Sequence, residues 1–294
     1  MAIFNKRKVE GYDYDTCCGE EGNRLRTQAR ILHNFDMPVY DEIFESKVNA
    51  TVLDIGCNEG DSAMDRLNGR NISEYIGIDR SIKAITAANN KYGDDCTHFY
   101  QMDVEAADFS VRLCQAMQRH NIDRADVITI SLLLLHLADP ATLVRQLYPF
   151  LKPGGTIFIK DIDDRDNRAE GDGVGFFEES YAIANANKDS GNRNVGREVP
   201  VYLKEAGFKN VRCVRKGITT KGMNKEEREA LFQTYYGFFI PDSLAQIEYE
   251  KQSKQSIYNY GWVSYYIPKI HDLFLMDGFN FTLGFQTYLA TREW

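Results

Sequence analysis

The chain has 294 residues, 43% of them hydrophobic and 27% charged, and a net charge of −8. This is ordinary globular composition, long enough for one large domain or two small ones and for a core that needs no disulfide or metal staple. An acidic chain repels a phosphate backbone, and its basic runs are short, such as Lys6-Arg7-Lys8, so DNA is not an expected partner.

Six cysteines, at 17, 18, 57, 96, 114 and 213, make no C-x-x-C pair, and five histidines do not complete a zinc site at the usual spacings. Reduced thiols in a cytoplasmic protein, with no metal, are the expectation. The charges at the N-terminus have no apolar stretch behind them, so no secretory signal is expected. The longest apolar run, at 132–135, is far too short to span a bilayer, and no membrane partner is expected.

In chain order, residues 1–48 read as an accessory segment, helical from about Arg24. Five short β-prone runs follow, at 51–56, 75–79, 98–103, 126–131 and 156–161, each predicted to be a strand buried on both faces. Helical patterns separate them. Ser81 is placed to cap a helix that Gly93 stops, Ser110 to cap another, and Asp139-Pro140 to start a third. Pro153-Gly154-Gly155 ends that unit. Asp54, Asp79 and Asp103 close the first three strands at the spacing of one strand-helix unit, which predicts a doubly wound parallel sheet. Residues 162–198 are polar and read as an exposed loop with a short helix. A helix ending at Gly207, a strand near 211–214 and a last alternating strand at 285–291 complete the pattern. Between Phe232 and Tyr266, 11 of 35 residues are aromatic, and 219–282 is predicted to be a helical insertion before that last strand.

The stretch Leu53-Asp54-Ile55-Gly56-Cys57-Asn58-Glu59-Gly60 joins a strand, a glycine-bearing turn and a helix start, the makings of a nucleotide cradle. Its pattern is D-x-G-x-N-x-G and lacks the second glycine of a dinucleotide fingerprint. Asp54 and Glu59 would repel a pyrophosphate but suit a ligand with an ammonium group and a ribose. Asp79 can accept from ribose hydroxyls, or cap the next helix. Asp103 can accept from an adenine amino group, with the backbone at 102–104 and Val104 beside the ring.

These residues resemble the class I S-adenosylmethionine-dependent methyltransferases. The marks that carry the resemblance run in order: 53–60, Gly77-Ile78-Asp79, Gln101-Met102-Asp103, 126–140, Leu151-Lys152-Pro153-Gly154-Gly155 and Ala206-Gly207-Phe208. The resemblance implies a Rossmann-like seven-stranded sheet with its last strand antiparallel, over residues 49–218 and 283–294, and S-adenosylmethionine as cofactor. It implies a cofactor set of Asp54, Gly56, Cys57, Asn58, Gly60, Asp79, Arg80, Asp103 and Val104. Ser131 and Leu132 would lie beside the methyl donor, and Arg30, with Arg26 behind it, would hold the cofactor carboxylate. The sequence departs from the family at Asn58, where glycine is common; asparagine tolerates the left-handed conformation such a turn needs.

On the acceptor side, His136 can serve as a general base or as a pocket wall. Asp161, Asp163 and Asp164 can bind an amine or hydroxyl of the substrate, form a Mg²⁺ site, or line a solvated loop. The family's signature for amino methylation of nucleic acids is replaced by Ser131-Leu132-Leu133-Leu134, its Pro-Cys nucleophile is missing, and so are the paired glutamates of protein arginine methyltransferases. A small-molecule acceptor, methylated on O or N, is the expectation. The segments 1–48 and 219–282 are expected to supply its apolar walls, with Tyr235 and Tyr265 among them, or else a homodimer interface. A methyltransferase acting on protein or RNA, a cofactor-binding protein without activity and a nicotinamide-dependent oxidoreductase stay as rivals.

Overall fold

A computed structural model describes residues 20–171, 175–186 and 191–293. The basic run at 6–8 and the pair Cys17-Cys18 lie outside the described residues. The strands with uninterrupted apolar character sit at the centre. β1 (Ala50–Ile55) is buried at every position and pairs in parallel with β2 (Ile72–Asp79) on one side and β4 (Ala125–Ser131) on the other. β3 (Thr97–Gln101) continues the parallel sheet beyond β2, and β5 (Leu151–Ile162) continues it beyond β4. Such strands are covered on both faces and so have no polar side.

β8 (Asn280–Thr291) runs antiparallel to β5, and it also pairs antiparallel with β6 (Arg168–Glu170) and β7 (Lys209–Thr219). Among the described residues the sheet has eight strands in the order β3-β2-β1-β4-β5-β8-β6, with β7 along β8. It carries one strand more than the seven expected. The extra strand, β6, has only three residues, Arg168-Ala169-Glu170, too few to leave an alternation in the sequence.

The helix starts follow local chemistry. α1 (Glu20–Phe44) precedes the sheet, and α2 (Asp61–Leu67) follows β1. Ser81 caps α3 (Ile82–Tyr92) by accepting from the Ala84 N–H at 3.2 Å. Ser110 does not cap α4 (Phe109–Gln118); the fully buried Phe109 ring draws the helix start one residue earlier and leaves Asp108 at the cap position. Asp139 caps α5 (Pro140–Leu147) through the Thr142 N–H at 3.0 Å, with proline at the first helical position. Pro153-Gly154-Gly155 does not end a unit but lies inside β5.

Residues 162–198 hold the short helix expected, but their described part is not an exposed loop. They contain α6 (Phe176–Ala186), and Asp163, Asp164, Asn167, Ser180 and Arg193 within them are buried. The polarity of these buried residues is spent on protein partners rather than on water. Asp163 accepts two bonds from Arg197, at 2.7 and 2.8 Å, and one from Gln286 at 3.0 Å. After α7 (Val199–Glu205) and β7 come α8 (Lys225–Tyr236), α9 (Phe239–Tyr249) and α10 (Lys254–Phe274). Phe232, Tyr236, Phe239 and Phe274 from these helices pack with Phe177 and Phe281, ring centroids 4.9–6.3 Å apart. Phe232, Tyr235, Tyr236 and Phe239 of the aromatic excess are therefore core, while Tyr258 and Tyr265 are exposed.

One buried ion cluster ties α1 to the sheet. Asp36 on α1 accepts from Arg66 Nε of α2 at 2.8 Å and from Lys160 Nζ of β5 at 2.7 and 2.8 Å. All three side chains are 2% exposed. Arg66 also donates to the Ala29 carbonyl of α1 at 2.7 Å.

A second buried carboxylate shapes the chain after β4. Asp161 is fully buried and accepts from the N–H groups of Leu134, Leu135 and Ile162. It thereby holds the 3₁₀ turn Leu134–His136. Burial pushes its carboxyl up to about 7, against those three donors, which favour the ionised form.

Two outcomes are expected. Asp36→Asn removes the anion that the two buried cations share, leaving Arg66 only the half-exposed Asp65 at 3.3 Å, and should lower stability by about 3–5 kcal/mol, whereas Lys160→Met, which keeps the Asp36–Arg66 pair, should cost less; denaturant unfolding of both variants checks the order. Because Asp161 titrates higher when folded than unfolded, its contribution to stability is fully present below about pH 4 and is lost as pH rises towards 7. The stability of the native chain minus that of Asp161→Asn should shrink across that window, by up to about 1.4 kcal/mol per pH unit, and level off above it. Thermal or denaturant melts at several pH values would show a constant difference if Asp161 did not titrate there.

Candidate active site

The carboxyl ends of the parallel strands face a cavity of about 300 Å³. Its floor is the turn from β1 to α2. Gly56 and Asn58 there have φ of +82° and +50°, and the Gly56 and Cys57 N–H groups both donate to the Ile78 carbonyl, at 2.7 and 3.0 Å. A Cβ at Gly56 would come within 3.2 Å of the Leu133 side chain, so glycine keeps this end of the cavity open.

The carboxylates around the floor are oriented by the same turn. Asp79 accepts from the Asn58 N–H at 3.0 Å on one oxygen and from the Ser81 N–H at 2.9 Å on the other. Each oxygen keeps a lone pair for a ligand. Asp103 accepts from the Glu105 N–H at 3.0 Å. Asp54 accepts from Thr129 at 2.6 Å and Tyr75 at 2.9 Å. Burial raises its carboxyl above the ordinary range, and those two hydrogen bonds pull the other way. The buried Cys57 thiol is pushed up by desolvation and by Asp54 and Asp79, so it is an inert wall rather than a nucleophile.

Next to Asp54 the cavity meets the ion cluster: Asp36, Tyr40, Arg66 and Lys160 all line it. Burial lowers the Lys160 ammonium, and Asp36 holds it up. On the far side, the chain after β4 enters the cavity with Leu132 at φ +56°, uncommon for a leucine, its N–H fixed on the Lys160 carbonyl at 2.8 Å. Leu133, Leu135, His136 and Leu137 follow it into the wall. Arg24, Gln28, Arg193, Tyr235, Phe238 and Phe285 complete that end.

Most residues singled out from the sequence converge here. Asp54, Gly56, Cys57, Asn58, Asp79 and Arg80 line the cavity, as do Asp103, Val104, Ser131, Leu132, His136 and Tyr235. Five do not. Gly60 starts α2, and a Cβ there would meet Phe99 at 2.9 Å, so its role is packing. Asp161 and Asp163 are buried behind the wall on backbone and arginine partners. Tyr265 is 60% exposed on α10, its ring 3.6 Å from the Lys269 ammonium. Arg30 points outward to Glu226 at 3.3 Å, and Arg26 to Glu59 at 3.5 Å. Nor are the apolar walls left to the accessory segments, since Leu132, Leu133, Leu135 and Leu137 supply one from the core. No group of three His, Cys, Asp or Glu among the described residues could hold a metal ion.

The residues missed on α1 share one signal. Arg24, Gln28, Leu32, Asp36 and Tyr40 recur every fourth position and line the cavity as one stripe of α1. Arg30, six residues beyond Arg24, is rotated from that stripe by about 240°. A helical count from Arg24 would have chosen the right face.

The comparisons with known proteins agree with this geometry. A family model described as a methyltransferase domain matches residues 29–212. The ubiquinone biosynthesis O-methyltransferase of Ralstonia nicotianae is 33% identical over 113 residues, 38% of this chain and 42% of that protein. Phosphoethanolamine N-methyltransferase 3 of Arabidopsis thaliana is 28% identical over 121 residues, 41% of this chain and 22% of that one. The chain thus spans less than half the length of the curated relatives it matches. Among solved structures, the YcgJ protein of Bacillus subtilis superposes with a TM-score of 0.54 at 16% identity, covering 89% of this chain and 100% of that one. Phosphoethanolamine N-methyltransferase 2 of Haemonchus contortus, crystallised with phosphomonomethylethanolamine and S-adenosylhomocysteine, gives 0.52 at 15%, covering 95% and 59%. At that identity the likeness is one of fold, and the family rests on the matched domain. The chain belongs to the methyltransferase-domain family, as one of the class I S-adenosylmethionine-dependent methyltransferases.

Proposed function

We propose that this protein transfers a methyl group from S-adenosylmethionine to an oxygen or nitrogen of a small molecule. The observation that carries the reading is the row of carboxylates, Asp54, Asp79, Asp103 and Glu105, along a cavity whose floor is the open Gly56 turn. Such a lining repels a pyrophosphate and suits a cationic ligand with ribose hydroxyls, which favours S-adenosylmethionine over a nicotinamide dinucleotide. Asp79 would hold the ribose, and Asp103 with Val104 the adenine. Asp54, which lines the cavity together with Lys160, would receive the amino-acid end, the part that the resemblance gives to Arg30. When bound, the cofactor supplies a methyl group already activated on a sulfonium sulfur.

The chain's own residues then have three tasks. Ser131 and Leu132 shape the passage between the two ends of the cavity. The leucines at 132, 133, 135 and 137, with Phe238 and Phe285, exclude water from it. His136 lines the acceptor end and takes the acceptor's proton. Tyr235 and α1 close the cover, so residues 1–48 and 219–282 act as lids on a core formed by 49–218 and 283–294. The reading calls for no nucleic acid and no membrane; no described helix is long and apolar enough to cross one. The four cysteines among the described residues, Cys57, Cys96, Cys114 and Cys213, are free thiols, in keeping with a cytoplasmic setting.

Calorimetric titration with S-adenosylhomocysteine tests the cofactor half. Asp79→Ala should weaken binding by about 1–3 kcal/mol, the worth of two ribose hydrogen bonds, and an unchanged affinity would contradict the assignment. His136→Gln should lower kcat by roughly 10²-fold or more with cofactor affinity intact; a change confined to KM would make it a wall residue.

A further inference from the structure

Arg193 lines the acceptor end of the cavity and is 4% exposed. It is built in from two directions. Its carbonyl accepts from the Asp164 N–H at 2.9 Å, and its side chain forks onto the same residue, Nε to Oδ2 at 2.6 Å and Nη2 to Oδ1 at 3.2 Å. Before it, the Asn192 N–H donates to the Leu135 carbonyl at 2.7 Å, which joins this segment to the wall that carries His136.

The donor and acceptor inventories of this pair do not match. A carboxylate offers about four lone-pair sites. Asp164 fills them with the two Arg193 bonds and with Asn167 at 3.1 Å and Asn185 at 3.4 Å. A guanidinium has about five N–H donors, and only two go to Asp164. The Tyr235 hydroxyl takes part in a further bond. That hydroxyl already accepts from Asn167 at 3.0 Å. The guanidinium edge turned from Asp164 therefore carries N–H groups that these neighbours do not use.

The surroundings strengthen a cation and weaken solvent. The Arg193 guanidinium lies 5.0 Å from the Tyr235 ring centroid and 5.3 Å from that of Phe238. Arg24 brings a second guanidinium 5.5 Å from the Phe238 centroid, and it is fixed by a 3.0 Å bond to the Thr234 carbonyl. Asp164, the counter-charge of Arg193, stands behind the wall and is not part of the lining. An incoming oxyanion meets the guanidinium first. The Nη groups left at that edge can make charge-assisted hydrogen bonds to an oxyanion, about twice as strong as neutral ones.

Resting on the methyl-transfer reading, we infer that the acceptor is a small organic acid whose oxyanion docks on Arg193 while its apolar body lies against Leu135, Leu283 and Phe285. The cavity then sets Asp54, Asp79 and Asp103 around the cofactor and the guanidinium groups of Arg24 and Arg193 around the acceptor.

A matched panel of benzoate, benzamide and benzylamine tests this by calorimetry, with and without saturating S-adenosylhomocysteine, whose own affinity is measured first. Benzoate should bind at least ten-fold more tightly than either analogue, and Arg193→Gln should erase the preference while leaving S-adenosylhomocysteine affinity unchanged. Equal or tighter binding of benzamide or benzylamine would overturn the inference, as would a variant that keeps the preference. The native panel alone decides the matter if Arg193→Gln does not fold. Failure of S-adenosylhomocysteine to bind would defeat the methyl-transfer reading instead, and the panel on the free protein would still decide the oxyanion site.

Discussion

The carboxylate of Asp36, held between Arg66 and Lys160, is the contact on which the cavity depends. α1 has no strand to pair with, and one of its faces must close a polar space rather than a core. A purely apolar seam would leave its rotation about its own axis loosely set. One buried anion shared by two cations from different elements, α2 and β5, sets it. Buried ion pairs contribute little net stability, because desolvation offsets the Coulomb gain, but removing one partner is costly. Here the arrangement gives the register of α1, and with it the stripe from Arg24 to Tyr40 that faces the ligand space.

The same economy appears after β4. Asp161 spends a buried carboxylate on three backbone N–H groups. The chain it fixes includes Leu132 in the left-handed region, a conformation that a leucine adopts only when its surroundings impose it. Lys160 and Asp161 are neighbours on β5, one turned to α1 and the cavity, the other to the turn behind His136. One strand end therefore positions both the lid and the acceptor wall.

Much of this was legible in the residues. The Asp54–Gly56–Asn58 turn, Asp79 and Asp103 were readable because strand ends and glycine turns leave local marks, and these residues meet at one cavity. The strands were readable because burial on both faces demands continuous apolar runs. What the pattern hid was everything satisfied at long range. Residues 162–198 look solvated because they are polar, yet Asp163, Asp164 and Arg193 are buried on partners far along the chain. Arg30 lies upstream of the first motif, as the resemblance implies, but helical periodicity turns it to solvent. Tyr265 was counted with the aromatic segment as a whole, while only some faces of α8 to α10 point inward. β6 is too short to announce itself.

The most direct test of the whole account is a crystal structure of the protein soaked with S-adenosylhomocysteine. The account predicts ribose hydroxyls on the Asp79 carboxylate, the adenine beside Val104, and the amino-acid end between Asp54 and Lys160. Density that places the nucleoside away from Asp79, or the amino-acid end at Arg30 on the outer face of α1, would contradict it.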